Sequence, residues 1–198
     1  IMRVPLALRC WFLSQDRTEL VQIQRDQFIR NWRRIEGNEE YPRYETLIAA
    51  FKREWREFMA FVAEEKLGEV KIDQCELSYI NQIPKGEGWE SFADIGGVFR
   101  GLRPADPNGL LNSPEAIGWN GQYKLPDELG RFYAELSPGF RGRDFKFVLS
   151  MTLKSRGKPA GPSEDNLFAW FDLAHEWIVR GFDELTDPNM HAVWKRRP

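Results

Sequence analysis

Apolar and polar positions along the chain follow two periods. Arg9 to Ser14 holds the short apolar run Cys10-Trp11-Phe12-Leu13, which stops at the polar stretch Gln15–Glu19. Leu20 to Trp32 follows as a long extended segment, and two such runs around a polar break predict a β-hairpin. In the second run Val21, Ile23 and Ile29 take one face. Gln22, Gln24, Asp26, Phe28 and Trp32 take the other, a face that begins polar and ends aromatic. A bulge near Arg25 that switches faces is the competing explanation. After Tyr41-Pro42-Arg43, the residues Leu47, Phe51, Trp55, Phe58 and Val62 recur at three and four. This predicts an amphipathic helix to about Lys66, stopped by Gly68.

The period then shortens again. Gln74–Ile83 alternates as a strand that Pro84 ends. From there to about Arg143 glycine and proline dominate, and the expectation is an irregular, functional or mobile stretch with a short helix around Trp89–Phe99 and otherwise turns and short strands. Leu129–Leu136 reads as a helical turn or a strand. Phe145–Lys154 is the cleanest alternating strand. A last helix runs from about Ser163, with Ser163-Glu164-Asp165 as its cap, to Leu185, and His191–Trp194 forms a terminal turn.

These elements predict a single α+β domain over 1–198: antiparallel sheet with the long helices packed on one face. The order strand, strand, long helix resembles the end of strand, short helix, strands, long helix. That suggests pseudo-repeats over 1–68 and 72–187, a tandem β-α-β(n)-α arrangement whose first copy lacks its opening strand and helix. A fuller version of the protein is accordingly expected to carry a strand and a helix ahead of Ile1.

Composition changes the picture little. The 198 residues have 28 Lys and Arg against 30 Asp and Glu. A chain this size buries roughly 70% of its unfolded surface and needs no disulfide or metal to fold. The balance disfavours a dedicated nucleic-acid binder, which carries a basic excess. No apolar run is long enough to span a bilayer, and Ile1–Leu13 lacks the regions of a signal peptide. The reading is cytoplasmic, with Cys10 and Cys75 as buried, reduced thiols.

Candidate chemistry is sparse. His175 and His191 are the two histidines, and His175 flanks the apolar stripe of the last helix, a position typical of a packed side chain. There is no G-x-S-x-G, C-x-x-C, H-E-x-x-H or phosphate-loop signature. No catalytic residue, metal ligand or cofactor is therefore assigned. The polar set that draws notice is Gln22, Gln24, Asp26, Arg30, Asn31, Arg33, Arg43 and Asn81, with Phe28 beside it. Asp26 with Arg30 or Arg33 suits a charge-assisted pair ordering a strand edge, and Asn31 and Asn81 suit backbone groups between strands. The competing reading is a ligand or partner surface on the sheet, and an Asp26–Glu76 acid–base pair is a minor third. Of the eight tryptophans, Trp55 and Trp170 are expected in the core, and Trp89, Trp119 and Trp194 partly exposed, where Trp and Arg anchor protein interfaces.

The stretch Leu20-Val-Gln-Ile-Gln-Arg-Asp-Gln-Phe-Ile-Arg-Asn-Trp-Arg33, with Tyr41-Pro-Arg-Tyr44, Cys75-Glu-Leu-Ser-Tyr-Ile-Asn81 and Ala174-His175, resembles a sporadically distributed family of bacterial and archaeal proteins without an assigned function. Its hallmark is Q-x-Q-x-D-x-F-x-x-N-W-R followed by Y-P-R-Y. The likeness spans most of the chain, and family members carry a further strand-bearing segment at the N-terminus. It implies a prokaryotic cytosolic setting and no reaction. The patchy distribution suggests an accessory role such as a toxin–antitoxin or anti-phage assembly. The expectation is thus a non-enzymatic binding or regulatory protein whose contact surface combines the sheet face near Gln22, Gln24, Asp26 and Phe28 with the loops of 85–143. A protein partner or a second copy is favoured over nucleic acid, no membrane is involved, and no small-molecule ligand is specified. The alternative is a nucleotide- or nucleic-acid-processing enzyme with its site between the sheet and those loops.

Overall fold

The computed structural model describes residues 8–102, 106 and 108–194. The fold is α+β, with antiparallel sheets and long helices. The chain divides into two compact units, residues 1–70 and 71–198.

The first unit is a three-strand antiparallel meander followed by a helix: β1 (Cys10–Leu13), β2 (Glu19–Ile23), β3 (Phe28–Trp32) and α1 (Tyr44–Glu64). The expected hairpin at Gln15–Glu19 is present. Arg17 turns with φ 63°, and the carboxylate of Asp16 accepts from the Ser14 hydroxyl at 2.6 Å and from the Thr18 amide at 3.1 Å. The extended segment Leu20–Trp32, however, is two strands. A reversal at Gln24–Gln27, where the Gln24 amide donates to the Gln27 carbonyl at 2.8 Å, sets Ile23 opposite Phe28 and Val21 opposite Arg30. The reversal resets the parity of the strand, so Val21 and Ile23 share a face with Phe28, Arg30 and Trp32. That is the face α1 covers. Phe28 meets Phe51, Trp55 and Phe58 at ring separations of 5.8, 5.6 and 5.1 Å, so the predicted helical stripe does face the sheet. The burial is incomplete: Val62 is the only buried apolar side chain among the described residues of this unit.

The second unit holds β4 (Cys75–Pro84), 3-10 turns at Phe92–Gly97 and Pro126–Glu128, β5 (Trp119–Lys124), β6 (Gly130–Phe140), β7 (Phe147–Gly157), α2 (Glu164–Leu185) and α3 (Pro188–Val193). The sheet order is β4-β7-β6-β5, all antiparallel. Leu149, Met151 and Leu153 of β7 and Phe132, Ala134 and Leu136 of β6 point into one core with Ile178 of α2. Ser163 caps α2 as expected, accepting from the Asn166 amide at 3.2 Å.

The glycine- and proline-rich stretch holds strands, as expected, and Leu129–Leu136 falls on a strand rather than a helical turn. The strand β6 is longer than expected, because Pro138 lies inside it. Arg141 bonds Lys146 across the ladder, so the register turns the position of the missing Pro138 N–H away from β7. On that other side β5 pairs no further than Leu136, and no ladder bond is lost. Trp89, expected to be partly exposed, is instead buried and donates its indole N–H to the Ile83 carbonyl at 3.2 Å, packed with Ile95, Val98 and Phe99. Trp170 is buried as expected, whereas Trp55 is only half-buried.

Candidate functional site

The reversal at Gln24–Gln27 disperses the polar set read from the sequence. Gln22 is buried on the sheet face away from α1, between Trp11 of β1 and Ile29 of β3, and Asn31 lies exposed on that same face. Phe28 and Arg30 occupy the opposite face, under α1. Gln24 and Asp26 sit in the reversal itself, where the Gln24 amide group reaches Gln27 at 3.2 Å and Asp26 is exposed. Arg33 donates its backbone N–H to Thr18 and exposes its side chain. Arg43 is the N-cap residue of α1, where its carbonyl accepts from the Thr46 and Leu47 amides. Asn81 belongs to β4 of the other unit. Gln22, Gln24, Asp26 and Phe28 therefore do not form one surface.

Arg30 is paired, but not with Asp26. Its Nε donates to Glu54 of α1 at 2.9 Å, and a terminal nitrogen lies 3.0 Å from Glu19 of β2. The guanidinium side chain is 5% exposed, Glu54 19% and Glu19 44%. Burial pushes the Glu54 carboxyl above its ordinary value, against the pull of the Arg30 charge. Glu19, Arg30, Glu45, Thr46, Ala49, Ala50 and Arg53 line an open depression of about 570 Å³. With Arg30 held from two sides, this cluster cross-links β2, β3 and α1.

The loop after β3 is organised by a single carboxylate. Glu39 accepts the backbone N–H groups of Ile35 at 2.9 Å, Glu36 at 2.7 Å and Gly37 at 2.7 Å. These bonds, that of Glu36 foremost, hold its carboxyl down at about 2.

In the second unit both histidines are held by hydroxyls. Tyr79 and His175 Nδ1 are 2.9 Å apart. Thr186 spends its hydroxyl proton on the Phe182 carbonyl at 2.6 Å, so its oxygen accepts from His191 Nε2 at 2.7 Å. The neutral His191 ring is thereby the Nε2–H tautomer, stacked on Phe182. Among the described residues no three His, Cys, Asp or Glu side chains converge, and no helix is long and apolar enough to cross a membrane. Cys75 is buried, as expected, and burial raises its thiol to about 12. Cys10 corrects the expectation, since it is exposed on the edge strand β1.

The face of the second sheet turned away from α2 carries residues that the sequence reading did not single out. Reading across the strands, Lys124, Arg131, Arg156 and Glu76 stand in register, followed by Gln122, Tyr133, Lys154 and Ser78. Glu76 accepts from Arg156 Nε at 2.8 Å and lies 3.2 Å from Lys154 Nζ. Burial raises its carboxyl, but the bonds from Arg156 and Lys154 outweigh this and leave it below its ordinary value. The signal available in the sequence was a period of two in basic residues, Lys154-x-Arg156, beside Arg131-x-Tyr133. No family model matches the chain, and neither a curated protein nor a solved structure does.

Proposed function

We propose that the protein is a non-enzymatic binding protein, and that its first unit accepts an extended strand from a protein partner along the outer edge of β3. The observation that carries this reading is a difference between two like arrangements in the same chain. β1-β2-β3-α1 and β5-β6-β7-α2 are both three-strand meanders followed by a long helix. In the second unit β4 pairs antiparallel along the outer edge of β7, and α2 packs over β7 and β4 together. In the first unit β3 is the edge strand. The ring contacts and ion pairs joining α1 to β3 come from Phe28 and Arg30 of that edge. Phe51, Trp55 and Phe58 are left half-buried.

The occupant is a strand of alternating apolar residues running antiparallel to β3 beneath α1, the mode of β-strand addition. Pairing with β2 uses the backbone groups of Ile29 and Asn31, so those of Phe28, Arg30 and Trp32 face outward to receive it. The resemblance of its sequence motifs is what supports a prokaryotic accessory or defence-type assembly in the cytoplasm as its setting. The alternative of a nucleotide- or nucleic-acid-processing enzyme with its site between the sheet and the 85–143 loops has less support, because Trp89, Ile95, Val98 and Phe99 fill that space against the sheet with core side chains.

The test is native purification from a source host, native mass spectrometry and residue-resolved hydrogen exchange. The expected result is a stoichiometric partner whose dissociation by mild denaturant or salt releases protection at Phe28, Arg30 and Trp32. Two outcomes overturn the reading: a partner that leaves those amides unchanged, or protection already present in the isolated full-length protein. The second would mean that the strand comes from the same polypeptide.

A further inference from the structure

The outer face of the second sheet is electrostatically unlike the rest of its unit. Helix α2 carries Glu164, Asp165, Asp172, Glu176, Asp183 and Glu184 against Arg180 alone. Across the sheet from it, Lys124, Arg131 and Arg156 stand side by side on three adjacent strands, with Lys154 one step along β7. Like charges set directly opposite one another across a ladder are destabilising. Glu76 satisfies Arg156 and Lys154. Arg131 has a bond to the Gly130 carbonyl at 3.0 Å, and among the described residues no ion pair joins it or Lys124 to a carboxylate. Lys124 and Arg131 thus stand as adjacent cations without a carboxylate partner among the described residues, beside an Arg156–Lys154 pair that shares the single carboxylate of Glu76.

Tyr133 follows Arg131 on the same face of β6, half-buried between Gln122 and Lys154. Next to it on the same face stand Gln122, Asn120 and Thr152, polar side chains able to bond base edges, with the exposed carboxylate of Glu135 between Asn120 and Thr152 closing the cationic end of the face. A cationic row alone suits any polyanion. A cationic row with an aromatic ring beside it suits one whose charges alternate with flat rings.

We propose that this face binds single-stranded nucleic acid, with backbone phosphates on Lys124 and Arg131 and a base stacked on Tyr133. The proposal stands apart from strand addition at β3, since it uses the other unit. The acidic surface of α2 repels a polyanion and orients the approach toward the sheet.

The experiment is fluorescence anisotropy of the full chain with a labelled single strand of about 12 nucleotides, the matching duplex, and polyglutamate as competitor. The single strand is expected to bind best, with log K falling against log salt at a slope of about −1.4, for roughly two phosphates neutralised. Lys124→Glu with Arg131→Glu should lower affinity by about tenfold or more, and Lys124→Glu alone by less. Tyr133→Ala should weaken binding about fivefold or more without changing the salt slope, because stacking releases no counterions. The melting temperature of each variant reports that the fold is kept. Absence of binding at low salt, or full binding by the double variant, overturns the proposal. So does equal competition by polyglutamate with Tyr133→Ala neutral, which would make the face a site for an acidic peptide.

Discussion

Gly130 and Gly157 stand directly opposite each other at the start of β6 and the end of β7, so close that neither has room for a side chain. A methyl group on Gly157 would fall on the Leu129 carbonyl oxygen and against the Gly130 Cα, and one on Gly130 on the Arg156 carbonyl oxygen. Gly130 also has φ 139°, a conformation that L residues rarely adopt. Both backbones are held on two sides, because Gly157 also pairs with Cys75 and Lys158 bonds back to Leu129.

Gly157→Ala and Gly130→Ala should each destabilise the protein by about 2 kcal/mol or more, the range of strained or overpacked sites. Gly142→Ala, which meets nothing within 4 Å, should stay within about 0.5 kcal/mol of the parent. Urea unfolding of the three variants checks this. Equal midpoints would show that the two strands can separate without loss.

The Arg30 cross-link makes a second prediction. Glu54→Ala leaves a guanidinium that is 5% exposed facing the half-exposed Glu19 alone. The expected loss is about 2 kcal/mol, the worth of a hydrogen bond to a charged group that ends up unmatched. Combining Glu54→Leu with Arg30→Met should recover most of it, since the pair and its desolvation are removed together. Unfolding midpoints of the single and paired variants decide the matter.

Acid should act on the first unit through Glu39. Its folded value, about 2, lies below its ordinary value of 4.5. A depressed carboxylate contributes stability that is present above the ordinary value and lost as pH falls through the folded one. The loop at Ile35–Glu39 should therefore loosen between about pH 4.5 and 2. Glu54 behaves oppositely. Burial raises its value, so its contribution is present below the ordinary carboxylate range and is lost as pH rises through the raised value. Carboxyl NMR titration of Glu39, and amide exchange at Ile35, Glu36 and Gly37 with and without Glu39→Gln, would show the transition. A variant that exchanges like the parent at neutral pH would remove the role given to Glu39.

The two cysteines should separate cleanly under a thiol reagent. Cys10 is exposed on β1, whereas the Cys75 thiol is buried and raised to about 12, so almost none of it is thiolate at neutral pH. A chromogenic disulfide should count one thiol in the native protein and two in denaturant. Cys10→Ser should abolish the native signal, and a native count of two would contradict the burial of Cys75.

Periodicity determined a good part of this protein. The stripe Leu47–Val62, the alternation of Phe145–Lys154 and the Ser163 cap each report a local geometry, and helices and strands form where expected. The α+β class and the antiparallel pairing follow from those elements. What alternation could not carry was parity across an unmarked turn. Gln24-Arg25-Asp26-Gln27 has neither glycine nor proline, so the reversal read either as continuous strand or as a face-switching bulge near Arg25; the faces do switch there, by a full turn, and the candidate site assembled on one continuous face does not exist. The converse error came from Pro138, which reads as a breaker until the register shows its missing N–H pointing past the end of β5. The partners of charges were equally hidden. Arg30 lies nearer Asp26 in sequence than Glu54, and only the packing of α1 on β3 brings that carboxylate within 2.9 Å. Lys124, Arg131 and Arg156 are scattered over more than thirty positions until the ladder sets them in one row. A linear pattern specifies period, and hence which side chains share a face within one element. Which faces of different elements meet, and which edges stay open, depends on register and layer packing, and these were settled only in three dimensions.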